Sequence, residues 1–419
     1  MSAHDIALSA RPAYRDANVL RWLTAYTASV TGDVVYFLAL SWAATRVGGP
    51  SQVGLVVAAG ALPRAVLMLG GGVVADRFGP RRVAVVSDAI RCAVILAVAA
   101  AVVPRSPSVW LLVAVALVFG VVDAVFMPAV GALPPRLTAS GQLARVQGLR
   151  GLSIRLSNAA GPVLAGSVLV IGGAAGAFTV AGVLFAVSLV VLLTVRTTDP
   201  AGEESRRTSA WRELGDGLRH VRGHRMLAPL VVVIGLSEMC FSGPVATGLV
   251  LLADERGWGA SGMGWVASAF SAGAAAAALL LTVASRIPRA GPAMSGALLV
   301  TAAGAVALGH APSLPAAVMF GALIGLTSGF TTTVTGALIQ TETAPRYLGR
   351  VTAVTTLCTL GLAPALFPVV GLTVALWGAD VFFAGCGAIC LLAAAVGLSV
   401  PVLRRAELRP AGPHTRAGG

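Results

Sequence analysis

The chain has 419 residues, 57% of them hydrophobic and only 11% charged, with 50 glycines and a formal net charge of +13. Ordinary soluble proteins carry about 25% charged residues, so this composition cannot build a water-covered surface. It excludes a soluble enzyme, a disordered regulator and a secreted disulfide scaffold, and leaves lipid as the solvent for most of the chain.

A membrane-spanning helix needs about 20 mainly apolar residues. Twelve such stretches are predicted in chain order: 18–46, 52–75, 82–103, 108–133, 145–171, 175–196, 226–251, 262–284, 292–309, 314–338, 349–373 and 376–402. Breakers separate them, among them Gly48-Gly49-Pro50, Pro104-Arg105-Ser106-Pro107, Gly172-Gly173 and His310-Ala311-Pro312. The first run is too long for a signal-peptide core and carries no cleavage site, so it is expected to be retained. The alternation of a β-barrel is absent, and the expected fold class is an all-α membrane protein.

The one long hydrophilic segment divides the spans six to six. The expected organisation is a first six-helix bundle over 1–196, a linker over 197–225, a second bundle over 226–402 and a tail over 403–419. Inside the linker Trp211, Leu214, Leu218 and Val221 recur at helical spacing opposite Arg212, Arg219 and Arg222. That pattern fits either an amphipathic helix on the inner leaflet or a plain solvated helix.

All 30 basic residues are arginine, which reads as the codon usage of a GC-rich bacterial genome. Twenty-four of them lie in the two tails, the linker and alternate connectors, whereas the opposite side holds only Arg46, Arg105 and Arg256. The positive-inside rule therefore places both termini and the linker in the cytoplasm. The positive charge faces anionic lipid head groups of the bilayer rather than nucleic acid. The five cysteines lie in apolar runs without a C-x-x-C and read as small buried hydrophobes, so no metal site is expected.

A shift of 205 residues lays Gly120 on Gly325, Gly131-Ala132-Leu133 on Gly336-Ala337-Leu338, and Arg145-Val146 on Arg350-Val351. Six spans return the chain to its starting side, so the halves read as parallel repeats related by an axis along the membrane normal. Such repeats are the basis of alternating access.

The same shift lays Asp33 on Glu238. Ionisable groups deep in a membrane are costly, about 2.5–3.5 kcal/mol each at a helix centre on insertion scales, and default to functional candidates. Asp33, Asp123, Glu238 and Arg64 qualify. The carboxyls could take up a proton on one side and release it on the other. Alternatively, Asp33 pairs structurally with Arg64 or with a Ser or Thr, and Arg64 reads better as a counter-ion. Phe37, Phe126, Phe241, Phe270 and Phe330 serve either as an apolar wall for an amphiphile or as lipid packing.

Between the second and third spans stands Gly72-Val73-Val74-Ala75-Asp76-Arg77-Phe78-Gly79-Pro80-Arg81-Arg82. This closely resembles motif A of the major facilitator superfamily, G-x-x-x-D-R-x-G-x-R-R. Gly72 permits close helix approach and Gly79 a tight turn. The resemblance implies two six-helix bundles, with spans one, four, seven and ten around a central cavity. It also implies a cytoplasmic latch formed by this loop, into which Asp88 and Arg91 fit as extensions. The counterpart loop, Val283 to Arg289, is degenerate.

Ser29-Val30-Thr31-Gly32-Asp33, Pro128 through Pro134, and Gly161-Pro162-Val163-Leu164-Ala165-Gly166 resemble the branch of macrolide-type drug exporters and enterobactin-type siderophore exporters. The last segment is similar to motif C of drug–proton antiporters, carried here by Gly161, Pro162 and Gly166 without the motif's preceding glycine. Span four has Asp123 in place of the basic residue of motif B. The resemblance implies a monomeric bacterial inner-membrane transporter that exports a small amphiphilic compound in exchange for protons. No nucleotide loop is present, and neither a cofactor nor an enzymatic activity is expected. An importer of a nutrient or siderophore, and a non-transporting sensor on the same bundle, are the alternatives.

Overall fold

The computed structural model describes residues 15–103, 107–138, 142–197, 210–241, 243–283, 289–343, 347–360 and 363–407. Among the described residues every regular element is a helix. The long ones are α1 (Ala17–Val47), α2 (Pro50–Phe78), α3 (Pro80–Val102), α4 (Val109–Gly131) and α5 (Leu143–Thr194), then the linker helix α6 (Ala210–Gly223). They continue with α7 (Leu227–Phe241), α8 (Pro244–Glu255), α9 (Gly259–Val283), α10 (Ala290–Gly309), α11 (Leu314–Glu342), α12 (Leu348–Leu360), α13 (Ala363–Trp377) and α14 (Ala379–Ser399).

Eleven stretches among the described residues are long and apolar enough to cross a membrane. Helices suit that solvent because they satisfy every backbone group internally. One stretch counts twice. α5 runs for 52 residues, ~78 Å at the helical rise, against a hydrocarbon core of about 30 Å. Gly173 leaves helical geometry at φ 59°, ψ −159°. A Cβ placed on Gly176 would lie 3.5 Å from the Val168 side chain, so the chain doubles back there. The predicted spans 145–171 and 175–196 are the two arms of this hairpin, and the total of twelve stands. The predicted spans 226–251 and 349–373 are each built of two helices, α7 with α8 and α12 with α13. Gly243, at φ 137°, marks the first of these junctions.

The chain forms two compact units. The first holds 1–206 together with 253–268 and 367–375, and the second holds the remainder. In the first unit α1 packs along α5, and α2 along α4. Trp22, Leu23 and Tyr26 of α1 meet Phe126 and Val130 of α4 and Leu192 of α5 in its core. α2 and α4 touch through their backbones. A Cβ on Gly120 would meet the backbone of Gly60, with the Gly60 Cα at 3.2 Å. Small residues at such crossings let helices gain dispersion contacts where lipid supplies no hydrophobic drive. Gly120→Val is expected to cost about 1–3 kcal/mol, the range for overpacked cores, and to lower the thermal midpoint of the detergent-purified protein. An unchanged midpoint would show that α2 and α4 are free to separate.

The segments 253–268 and 367–375 join the first unit for the same reason. A Cβ on Gly54 would lie 3.2 Å from the Gly371 Cα, and one on Gly166 would lie 3.3 Å from the Gly264 Cα. The Arg46 guanidinium adds an ion pair to Asp254 at 2.6 Å.

In the second unit α10 packs on α14 and α11, around a core that includes Leu227, Leu230, Met294, Leu298, Leu338 and Val354. Gly325 faces the backbone of Phe270 on α9, the contact the repeat expects from Gly120. The linker helix α6 is seated on protein rather than lying free on a leaflet. Gly217 abuts the Arg350 carbonyl, 2.7 Å from where its Cβ would stand. The Asp216 carboxylate lies 3.7 Å from the Arg350 guanidinium, and the His220 ring stacks on Tyr347 with centroids 4.1 Å apart. The absence of a side chain at Gly217 is what permits this approach. The expected apolar face is therefore split, with Val221 buried and Leu218 46% exposed. The side chains of Trp211, Arg212 and Leu214 lie outside the described residues.

Candidate functional site

Three helices of the first unit present stripes at i, i+3, i+4, i+7 spacing, which stacks side chains along one face. On α1 the stripe is Asp33, Tyr36, Phe37 and Leu40; on α2 it is Val57, Gly60, Ala61 and Arg64; on α4 it is Ala116, Phe119, Gly120 and Asp123. All of these except Asp33, together with Phe367, line an open cavity whose empty space is about 380 Å³. Tyr36 stacks on Phe119 with ring centroids 3.9 Å apart, which stiffens one wall. Each stripe ends in an ionisable residue, and the three ends lie toward one another.

What joins Asp33 to Asp123 is Arg91, on α3. Its Nη1 donates to Asp33 Oδ1 at 2.9 Å and Oδ2 at 3.2 Å, and to Asp123 Oδ1 at 3.3 Å. Its Nη2 donates to Ser29 Oγ at 3.0 Å and pairs with Asp88. Ser188 Oγ donates to Asp88 Oδ2 at 2.5 Å, and Ser29 Oγ to Asp88 Oδ1 at 3.3 Å. The guanidinium carbon sits 3.7 Å from the ring centre of Phe126 and 4.8 Å from that of Phe185, a cation–π contact on each.

Asp88 and Arg91 thus belong inside the bundle, not to the connector network to which the sequence reading assigned them. Helix α3 starts at Pro80, so Arg91 stands three turns in, about 16 Å along the axis. A signal for this was present: an acid and a base three residues apart in an otherwise apolar run, facing the same side of a helix. Ser188 and Phe185 carry no mark in their local sequence, while Ser29 and Phe126 stand out there only as part of a family-like segment and as a candidate apolar wall, not as partners of Arg91.

The partner of Asp33 is Arg91, and Arg64 is not its counter-ion. Arg64 lines the cavity beside Asp123 and has no acid within 4.0 Å among the described residues. The acids differ in access. The Asp88 and Arg91 side chains are fully buried, whereas the side chains of Asp33 and Asp123 are 30% and 16% exposed. With all groups ionised, three carboxylates face one buried guanidinium. Asp88 is held by three donors, while Asp33 and Asp123 share a single nitrogen. A proton or a cation arriving at either reachable acid relieves the negative excess and leaves Nη1 to the other.

At the motif A connector, Gly79 has φ 84° and separates α2 from α3, a conformation that favours glycine. Arg81 Nη2 donates to the Leu193 carbonyl at 2.7 Å, satisfying an orphan acceptor at the end of α5 where a cation also suits the helix dipole. Arg77 lies over the Phe78 ring at 5.7 Å, and Arg82 is exposed. Gly72 and Asp76 belong to α2, and the Asp76 side chain lies outside the described residues. In the motif C-like segment, Gly161 abuts Val34 of α1. The Pro162 carbonyl and Gly166 face Gly264.

In the second unit Thr332 Oγ1 donates to Glu238 Oε1 at 2.5 Å, joining α7 to α11. The shift of 205 lays Arg91 on Gly296, Asp88 on Ala293 and Asp123 on Ser328. The ion cluster is therefore a property of the first half and is not repeated. Phe241 and Phe270 stack with centroids 6.0 Å apart, and Phe330 packs against the core of the second unit.

The family model described as Major Facilitator Superfamily matches residues 22–259 and 235–417. Over 393 residues the chain is 26% identical to the multidrug efflux pump Tap of Mycobacterium tuberculosis and of Mycobacterium bovis, a match covering 91% of this chain and 93% of that protein. Among solved structures, the nucleoside transporter NupG superposes with a TM-score of 0.71 at 13% identity, over 92% of this chain and 99% of that one. A D-xylose-proton symporter gives 0.68 at 14% identity, over 94% of this chain and 98% of that one. At these identities the structural likeness establishes the fold.

Proposed function

The chain belongs to the major facilitator superfamily, a family of multi-pass membrane transporters, and from that premise we propose that it exports small amphiphilic compounds in exchange for protons. The observation that carries this reading is the cluster at mid-depth of the first unit: one buried guanidinium, one enclosed acid and two reachable acids. Proton and substrate compete for the same oxygens of Asp33 and Asp123. Competition at one site is negative coupling between two ligands, and linkage makes it reciprocal. If the protein changes state only when one of them is bound, the two fluxes run as an exchange.

Export is supported by the likeness to an efflux pump. The membrane is the bacterial inner membrane, with both termini cytoplasmic, as the arginine distribution favours. The halves 1–196 and 226–402 act as the two bodies of alternating access, with the motif A connector as the latch and Glu238 as the acid of the second body. The chain works as a monomer, without a nucleotide or other cofactor.

The test uses inverted inner-membrane vesicles with an acidified lumen and a panel of amphiphiles running from the permanent cation ethidium to neutral and zwitterionic dyes. Adding a transported compound is expected to release luminal protons, while the compound accumulates inside. Vesicles that respond to no compound, or that take up compound together with protons from outside, would overturn the exchange mechanism. Glu238→Gln is expected to slow this release severalfold while leaving expression unchanged, and full activity in that variant would remove Glu238 from the cycle.

A further inference from the structure

The cavity of the first unit has a chemistry more specific than that of an apolar pocket. Tyr36, Phe37, Leu40, Phe119 and Phe367 line it together with Arg64 and Asp123. Arg91 donates to every acid of the cluster, and Asp88 is enclosed. The charges that line this cavity are the Arg64 guanidinium, which has no acid within 4.0 Å among the described residues, and the oxygens of Asp123. Asp123 Oδ1 accepts from Arg91, while its Oδ2 accepts no hydrogen bond from a described residue.

The Arg64 side chain is exposed and lines the cavity beside Asp123, and a carboxylate fits its fork of donors. An ammonium suits the free oxygen of Asp123. An anion alone would meet the surplus of carboxylates, and a cation alone would meet Arg64. We infer that this cavity is a binding site for zwitterionic amphiphiles, whose carboxylate meets Arg64, whose ammonium meets Asp123, and whose apolar body lies against the aromatic wall. The inference narrows the substrate class of the proposed exporter, but binding can be measured without transport.

Three fluorescent probes with one aromatic body make the test: Nε-dansyl-lysine, a zwitterion; dansyl-cadaverine, which lacks the carboxylate; and 6-(dansylamino)hexanoic acid, which lacks the ammonium. Purified full-length protein in detergent is expected to bind dansyl-lysine on the order of tenfold more tightly than either relative, as when one charged hydrogen-bond partner is lost. Arg64→Gln should erase the margin over dansyl-cadaverine alone, and Asp123→Asn the margin over the acid alone. Arg64→Lys should keep part of the first margin, and circular dichroism reports folding in each variant. Equal binding of all three probes by the wild type, or an equal loss of all three in Arg64→Gln, would overturn the assignment. Proton release by ethidium with no preference among the dansyl probes would remove this site and leave the exporter. The stated preference in vesicles that exchange nothing would do the reverse.

Discussion

Arg91→Met is expected to destabilise the protein by about 3–5 kcal/mol, the usual cost of removing one partner from a buried ion pair. The side chain is fully buried and faces Asp33, Asp88 and Asp123. Methionine would fill the space between Phe126 and Phe185 but leave Asp88 enclosed with only the Ser29 and Ser188 hydroxyls. The readouts are the thermal midpoint and the yield of monodisperse protein after detergent extraction. Arg91→Lys should recover part of the loss, since it returns the charge without the two-pronged geometry. Adding Asp88→Asn to Arg91→Met should recover part by a different route, by removing the stranded charge. A midpoint equal to wild type in Arg91→Met would mean that the cluster does not hold the bundle together. The sign follows from burial: a charge with no solvent near it depends wholly on its partner.

Asp33→Asn is expected to leave expression and thermal midpoint close to wild type, but to lower proton-coupled movement in vesicles by roughly tenfold or more, within the range of ordinary coupling factors. Asparagine keeps the shape of the side chain, and its amide oxygen can still accept from Arg91 Nη1. It cannot take up a proton, so any flux that remains should lose its dependence on the proton gradient. Asp33→Glu should retain coupling at a reduced rate, because it keeps the carboxyl and displaces it by one methylene. Asp123→Asn is the informative comparison, since both acids share Nη1 at 2.9 Å and 3.3 Å. Gradient-driven flux equal to wild type in Asp33→Asn would make its bond to Arg91 purely structural.

The second half lacks the Arg91 cluster, and this asymmetry separates two roles that the repeat by itself would merge. Asp33 and Glu238 share a repeat position, yet the first accepts from an arginine and the second from a threonine. A guanidinium holds a carboxylate far more strongly than a hydroxyl does.

The twelve spans and the six-and-six division were legible in the sequence by itself. In lipid a backbone must close its own hydrogen bonds, so apolar length translates directly into helices. The breakers at Gly172-Gly173 and the turn at Gly79 were legible too, because few residues other than glycine tolerate those dihedrals. The scarcity of charge inside apolar spans also singled out Asp33, Arg64 and Asp123, but it could not supply the neighbour each of them faces. Arg91 meets carboxylates 58 and 32 positions away along the chain. That meeting depends on how closely the helices cross, as at Gly60 and Gly120. The membership of 253–268 and 367–375 in the first unit, and the seat of α6 on Arg350, likewise depend on glycines meeting backbone. Close packing is a property of two surfaces at once, and one stretch of sequence specifies only its own.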